Sequence, residues 1–296
     1  MVAIAYLGPP GTYSEATAIA YRDILEQQGY IISLHPYPTI AKTLQALARG
    51  DVELAIAPVE NSIEGSVPIA LDTLWQLDNL QIKQAYILPI HHGLLSLMPG
   101  TTSSIPDFKA IKTVYSHPQA LAQCQGWLEQ HLSVVELIPT NSTAEAIQYL
   151  DRDLPVAAIS SQRAASLYQV PTIAYPINDS LDNCTRFWLV SQKENELCFD
   201  PPQPSKQYTS LAFSFANTKT PGVLVKPLEI FARQGINLCR IESRPTKRSL
   251  GEYLFFIDIE ADAKQPNIQE ALEEIAEHTE VLKIFGTYTA SRQIVD

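Results

Sequence analysis

Over its first 190 or so residues the chain repeats one rhythm: a short apolar run, a break of Gly, Pro or polar residues, then a capped amphipathic segment. The run Val2–Leu7 ends at Gly8-Pro9-Pro10-Gly11, and Thr12 with Glu15 forms a T-x-x-E capping box that starts a helix reaching Gly29. Residues 31–34 read as a strand, Ile40–Arg49 as a helix between Thr39 and Gly50, and 54–59 as a strand. Ser66 is expected to cap a helix over 66–77, and 81–97 is strand-rich. Ser116-His117-Pro118 opens a helix running to about Leu132, and 134–138 reads as a strand. Ser142-Thr143-Ala144-Glu145 is a second capping box, Val156–Ser160 a strand, 161–168 a helix and 185–191 a closing strand. Such alternation predicts an α/β unit with a parallel sheet and crossover connections.

The rhythm fails at 192–207. That stretch mixes Lys193, Glu194, Asn195 and Glu196 with Pro201, Pro202 and Pro204 and carries no period, as a linker does. Beyond it come a strand over 208–216, a helix over 221–234, strands over 238–242 and 253–260, a helix over 268–277 and a strand over 281–285. The order βαββαβ is that of a ferredoxin-like sandwich. A chain of 296 residues therefore divides into a first domain at 1–191, the linker and a second domain at 208–296.

Charge and cysteine usage narrow the function. Lys+Arg 21 against Asp+Glu 32 leaves 21 − 32 = −11, the wrong sign for a nucleic-acid partner. An anionic substrate would then have to be held by local groups, against the overall field. Cys124, Cys184, Cys198 and Cys239 are widely spaced with no CxxC pair, which fits a reducing cytosol. The amino terminus has no basic or long apolar leader, and no run approaches the roughly 20 apolar residues of a membrane span. A cytoplasmic protein with no membrane partner is expected.

Four polar clusters sit where strands give way to helices: Gly11-Thr12-Tyr13-Ser14, the stretch from Glu60 to Ser66, Ser116-His117-Pro118-Gln119, and Ser160-Ser161-Gln162. In open α/β sheets ligands bind beyond the carboxyl ends of strands, where helix amino termini offer free N–H groups to an anion without any lysine. Each cluster alone reads more readily as an ordinary cap or turn, but four together favour a binding site. The six histidines show no metal-ligand spacing, and His91-His92 on a strand would point to opposite faces, so at most one meets a pocket. The Gly8–Thr12 turn lacks the P-loop lysine and the dinucleotide spacing, and no G-x-S-x-G elbow occurs. Neither metal nor organic cofactor is expected. The run Asn183-Cys184-Thr185-Arg186-Phe187-Trp188 places polar groups at the lip of an apolar strand, which packing alone does not require.

Taken in order, Gly8-Pro9-Pro10-Gly11-Thr12-Tyr13-Ser14-Glu15, Pro58-Val59-Glu60-Asn61-Ser62-Ile63-Glu64-Gly65, Ser116-His117-Pro118-Gln119-Ala120-Leu121 and Asn183-Cys184-Thr185-Arg186-Phe187 resemble the signature series of prephenate dehydratases. The second domain resembles an ACT regulatory domain through Pro221-Gly222-Val223-Leu224, Asn237-Leu238 and Ile241-Glu242-Ser243-Arg244-Pro245. Val223 stands where that family more often has a smaller residue. The resemblance implies two α/β lobes with a cleft between them, as in periplasmic binding proteins, followed by the ACT domain. It also implies conversion of prephenate to phenylpyruvate with loss of water and carbon dioxide. The chain has no chorismate-mutase segment before residue 2, which reads as a monofunctional enzyme.

By the same resemblance Thr185 is the catalytic donor. Asn61, Ser62, Ser116, Gln119, Gln123, Thr12, Ser161, Arg186 and Phe187 are then candidates for holding the substrate. For Arg186, strand alternation with Thr185 argues as strongly for a structural salt bridge. Gly222, Val223, Leu224, Asn237, Leu238, Glu242, Ser243, Arg244 and Pro245 are the candidates for an L-phenylalanine effector site in a homodimer or homotetramer. Arogenate dehydration is the nearest alternative activity. A non-catalytic two-lobed sensor is the alternative from a different class, and a donor placed for a leaving group speaks against it.

Overall fold

The computed structural model describes residues 1–98, 108–195, 197, 206–216 and 221–292. Lobe one contains β1 (Val2–Leu7), α1 (Tyr13–Gln27), β2 (Ile32–Tyr37), α2 (Ile40–Arg49), β3 (Leu54–Asn61), β4 (Gly65–Ser66), α3 (Pro68–Gln76) and β5 (Leu80–Pro89). Lobe two contains β6 (Gly93–Leu95), β7 (Thr113–Ser116), α4 (Pro118–Gln123), α5 (Gln125–His131), β8 (Glu136–Pro139), β9 (Val156–Ser160), α6 (Gln162–Tyr168) and β10 (Thr172–Ala174). The chain then returns to lobe one through β11 (Cys184–Gln192). The carboxy-terminal unit is β12 (Gln207–Ser214), α7 (Val225–Arg233), β13 (Leu238–Pro245), β14 (Tyr253–Ile259), α8 (Pro266–Glu277) and β15 (Val281–Arg292).

The elements form where their residues require them. In α2, Ile40, Thr43, Leu44, Ala46 and Leu47 fall on one face and are buried, Thr39 accepts from Lys42 N–H, and Gly50 ends the helix in the left-handed region. Full burial of a side chain such as Leu44 contributes about 1.5–3 kcal/mol. Thr12 accepts from Glu15 N–H as the capping box predicts, but the Glu15 carboxylate returns to Gly11 N–H rather than to that of Thr12.

Several boundaries differ from the sequence expectation. Ser66 does not cap α3; it pairs with Glu60 in β4, and Val67 precedes the helix. The single helix expected to Leu132 is broken at Cys124. The second capping box opens only a 3₁₀ turn, although Ser142 Oγ still accepts from Glu145 N–H. Residues 221–224 form a turn, so α7 starts at Val225. Strands β7 and β10 are short and were not read from the sequence, and most of the 192–207 linker lies outside the described residues.

The lobe-one sheet is mixed rather than parallel throughout. β1 is parallel to β2 and β3, whereas β11 runs antiparallel between β3 and β5. Lobe two repeats the plan, with β7 parallel to β8 and β9 and an antiparallel β6–β10 extension. The carboxy-terminal strands pair in the order β13-β14-β12-β15, as the βαββαβ reading requires. This sheet is not separate: residues 289–292 of β15 lie parallel to β5, joining it to lobe one in a ten-stranded sheet. One core runs across the junction, with Trp188, Leu71 and Leu74 in the same buried cluster as Leu254, Phe256, Phe285 and Tyr288.

Candidate active site

A cavity of about 870 Å³ lies between the two lobes. From lobe one come the β1–α1 turn with Thr12, Tyr13 and Ser14, then Asn61 at the end of β3, and Thr185 and Phe187 on β11. From lobe two come His117, Gln119, Ala120 and Gln123 at α4, and Asn141, Ser142, Thr143 and Glu145 after β8. His92 stands between the lobes. No lysine or arginine lines the cavity among the described residues.

Thr185 and Asn61 are direct neighbours across the β11–β3 ladder. The Asn61 amide cannot turn around, because its Oδ1 accepts from the N–H groups of Ile63 and Glu64, at 3.0 and 3.1 Å. Its Nδ2 donates to Thr185 Oγ1 at 2.9 Å and to Asn183 Oδ1 at 2.9 Å. The Thr185 oxygen is therefore an acceptor toward Asn61, and its own proton is left to point into the cavity. Donation into that oxygen polarises the hydroxyl and strengthens it as a donor.

The polar contacts continue across the cleft. Asn183 Nδ2 donates to Gln123 Oε1 at 2.9 Å, and His92 Nε2 stands 3.2 Å from the same oxygen. His92 Nδ1 lies 3.1 Å from the Tyr13 hydroxyl, which also donates to His91 O at 2.6 Å. Burial pushes the His92 imidazole down to about 4, so near neutrality it is uncharged. With Nε2 protonated it donates to Gln123 Oε1, and its bare Nδ1 competes with His91 O for the single Tyr13 hydroxyl proton. Burial also lowers the His117 pKa, opposed by Glu64. Gln123 Nε2 is buried without a protein partner and remains available as a donor. Apart from the Glu145 carboxylate, which Asn141 engages through its N–H and Nδ2, the site is lined by neutral groups and by the first turns of α1 and α4, whose dipole ends favour an anion.

Of the residues singled out in the sequence, Thr12, Asn61, Gln119, Gln123, Thr185 and Phe187 line the cavity. Ser62 stands behind it, its Oγ accepting from Cys184 N–H and donating to Asn183. Ser116 is fully buried and donates to Ile159 O, away from the cavity. Ser161 caps α6 and donates to Gly11 O, tying lobe two to the β1–α1 turn. Of the two readings of Arg186, substrate contact finds no support and the salt bridge does: it does not line the cavity, faces away from Thr185's side and pairs with Glu60 and with Asp258 of the carboxy-terminal domain, each at 3.0 Å. Of the two adjacent histidines only His92 lines the cavity. Tyr13 and Asn183 lie in clusters the sequence points to without being named as site residues, and His92 and Asn141 were not named as such either. The stretch after β8 obeys the same strand-end rule as the other clusters and was readable by it.

None of the nine effector candidates lines this cavity. Gly222, with φ +82, lies in the turn before α7 beside Val223 and Leu224. Asn237 Nδ2 donates to Glu260, Leu238 begins β13, and Ser243 and Pro245 are exposed on that edge strand. Glu242 is half-buried, and Arg244 is engaged by Asp72 of α3.

Two α/β lobes facing a cleft with no lysine or arginine among its described lining residues, and a βαββαβ unit fused to one of them, define a small-molecule enzyme carrying a regulatory domain. Residues 4–195 match the prephenate dehydratase family and residues 218–277 the ACT domain, and the chain belongs to the prephenate dehydratase family. It is 34% identical over 289 residues to the prephenate dehydratase of Lactococcus lactis subsp. cremoris, covering 97% of each chain. The bifunctional chorismate mutase/prephenate dehydratase of Aquifex aeolicus is 36% identical over 287 residues, 97% of this chain and 73% of that one. The crystal structure of the Arthrobacter aurescens prephenate dehydratase in complex with L-Phe aligns with a TM-score of 0.83 and 31% identity, over 97% of this chain and 90% of that one. The reaction is that of a hydro-lyase, in which prephenate loses water and carbon dioxide to give phenylpyruvate.

Proposed function

We propose that Thr185 is the hydrogen-bond donor to the departing hydroxyl of prephenate, oriented for that role by Asn61. The single observation behind this reading is the 2.9 Å bond from Asn61 Nδ2 to Thr185 Oγ1, which fixes the threonine oxygen as acceptor and frees its proton. In the reaction the C–CO₂⁻ bond breaks as carbon dioxide leaves. Its electron pair enters the ring, and the C–O bond opposite breaks with the electrons going to the leaving oxygen. That oxygen takes up a proton and departs as water. Aromatisation supplies the driving force, so the protein's part is to hold the dianion in register and to stabilise charge growing on the leaving oxygen. A threonine hydroxyl is a very weak acid, and hydrogen-bond stabilisation suits it better than full proton transfer.

Gln119 and Gln123 hold the substrate through neutral donors in this reading, while Thr12, whose hydroxyl donates to Leu7 O, shapes the cleft at the start of α1. Gln119 and Gln123, four residues apart on α4, both line the cavity. Asn61, whose amide is engaged on both sides, is a positioning residue, and Phe187 supplies an apolar wall beside the ring.

The ACT domain is read as the site of feedback inhibition by L-phenylalanine in a homodimer or homotetramer, with the exposed edge strand β13 available for pairing. The end of β11 at Gln192 and the start of β12 at Gln207 support domains at 1–191 and 208–296. The free thiols of Cys124, Cys184 and Cys239 support a cytoplasmic location.

Turnover of prephenate and of arogenate by purified protein, each with and without L-phenylalanine, tests the whole reading. Phenylpyruvate formation from prephenate, suppressed by millimolar phenylalanine, is expected. Preference for arogenate in kcat/KM would reassign the substrate, and no product from either would end the catalytic assignment.

A further inference from the structure

Strand β11 serves two compartments at once. Side chains alternate along it, so Thr185 and Phe187 face the cleft while Arg186 and Trp188 face the ACT domain. Behind the cleft wall Arg186 Nη1 donates to Asp258 Oδ2 at 3.0 Å, and Nη2 lies 3.0 Å from Glu60 Oε2. Asp258, on β14, is fully buried and also accepts from the Ser210 hydroxyl of β12. Arg240 on β13 brings Nε to 3.0 Å from the same Asp258 oxygen and sets its guanidinium 5.6 Å from the Trp188 ring centre. Two arginines and two carboxylates thus balance in a cluster spanning both domains. Burial works against the Arg186 charge, but Glu60 and Asp258 outweigh it and hold its pKa above the ordinary value. The β11–β3 register shifts between Arg186 and Phe187, and such a bulge re-aims neighbouring side chains.

We propose that Arg186 is a positioning residue, whose bond to Asp258 sets the placement of the Thr185 hydroxyl and carries the state of the ACT domain to the cleft. The inference rests on Thr185 being the donor to the leaving group. One peptide separates the two side chains, so a displacement of Arg186 moves the backbone that carries Thr185. Asp258 and Arg240 sit on β14 and β13, the strands nearest the outer edge of the ACT sheet. An effector that shifts those strands relative to β12 changes what Arg186 can reach. For this to inhibit, the effector must bind the two arrangements with different affinity.

The test uses the full chain and compares Arg186→Lys, Asp258→Asn, the double variant and Thr185→Val with wild type. Arg186→Lys keeps the charge and loses the fork that spans Glu60 and Asp258. Each latch variant should lower kcat about ten-fold with KM changed less than about two-fold, as misplacement of a transition-state donor does. Each should also raise the half-inhibiting L-phenylalanine concentration several-fold. The double variant should be little worse than either single one, because both break one contact. Ser210→Ala, which loosens Asp258 without removing a charge, should shift the same quantities in the same direction and serves if Asp258→Asn fails to fold. Wild-type kcat and phenylalanine response in folded latch variants, with only the melting temperature lowered, would make the cluster purely structural and overturn the proposal. Full turnover by Thr185→Val would instead overturn the catalytic reading beneath it, and the two failures are separable.

Discussion

Arg244 on β13 reaches Asp72 on α3 with both arms of its guanidinium, Nε and Nη2 each standing 3.1 Å from a different carboxylate oxygen. Lys247 adds a third contact to the same carboxylate at 2.7 Å. An arginine that the ACT resemblance offers to an effector therefore docks the regulatory domain onto lobe one. Burial raises the Asp72 pKa, but Arg244 and Lys247 reverse this and leave it below the ordinary value. Its contribution to stability is present above the unfolded carboxyl value of 3.8 and fades as the pH falls below that. Arg244→Ala should cost about 1–3 kcal/mol in urea unfolding near neutral pH, from an ionic hydrogen bond lost and a carboxylate left with one partner. The cost should shrink below about pH 3, where the carboxylate protonates.

Thr185→Ala should lower kcat by at least about 10²-fold with a modest change in KM, the mark of an interaction made mainly in the transition state. Asn61→Asp should lower kcat comparably and raise KM as well. A carboxylate oxygen in place of Nδ2 turns the Thr185 proton back toward β3 and adds negative charge facing a dianion. Steady-state kinetics with prephenate separates the two signatures.

Ionic strength should change KM little. The cavity holds no lysine or arginine among the described residues, and salt screens distant charges far more than it weakens short hydrogen bonds. A rise of less than about two-fold between low salt and about 0.5 M is expected. A steep dependence would point to a cation reaching the substrate from elsewhere.

His92 makes the folded protein sensitive to mild acid. Its folded pKa is about 4 against 6.5 when exposed, so the unfolded chain binds the extra proton between those values. The stabilisation is complete above about pH 6.5 and is lost progressively as the pH falls toward 4, amounting to about 3 kcal/mol. His92→Gln should flatten the fall in melting temperature over that window, measured by thermal scans from pH 7 to 4.

Ser243→Ala should relieve inhibition by L-phenylalanine while sparing basal turnover, because Ser243 is exposed on β13 and touches no part of the cleft. Gly222→Leu probes the same site less cleanly. Gly222 holds φ at +82, where a side chain strains the turn whatever room surrounds it. Inhibition curves for the two variants, with melting temperatures alongside, separate lost effector contact from lost local structure.

The parts of this structure that were legible in the sequence are those governed by local rules. Thr39 and Gly50 bound α2 because a cap and a left-handed stop are chemical necessities of a helix end. Strands such as Val156–Ser160, buried along their whole length, announce themselves as unbroken apolar runs. The strand-end rule led to the clusters that hold Thr12, Asn61 and Gln119, and the family resemblance led to Thr185; all four line one cavity. It could not separate these from Ser116 and Ser161, because a serine at a strand end caps or docks as readily as it binds. His92 and Asn183 matter through partners 31 and 60 residues away, a separation no local pattern encodes. The direction of Arg186 was legible from alternation, but its partner Asp258, 72 residues on, was not.

Gly286 marks the point where β15 passes close to lobe one: a Cβ there would stand 2.5 Å from Ile82 O, and the residue holds φ at +144. Beyond it, 289–292 complete the edge of β5. Regulatory domain and catalytic lobe are therefore not interchangeable parts joined by a tether. Exchanging the ACT unit for that of a relative, or trimming the chain after Gly286, would strip β5 of a neighbour and offer its bare edge to other chains. A recombination breakpoint in the proline-rich stretch before β12 would need a matching β15 to succeed, which makes residues 289–292 a compatibility key for building chimaeric enzymes.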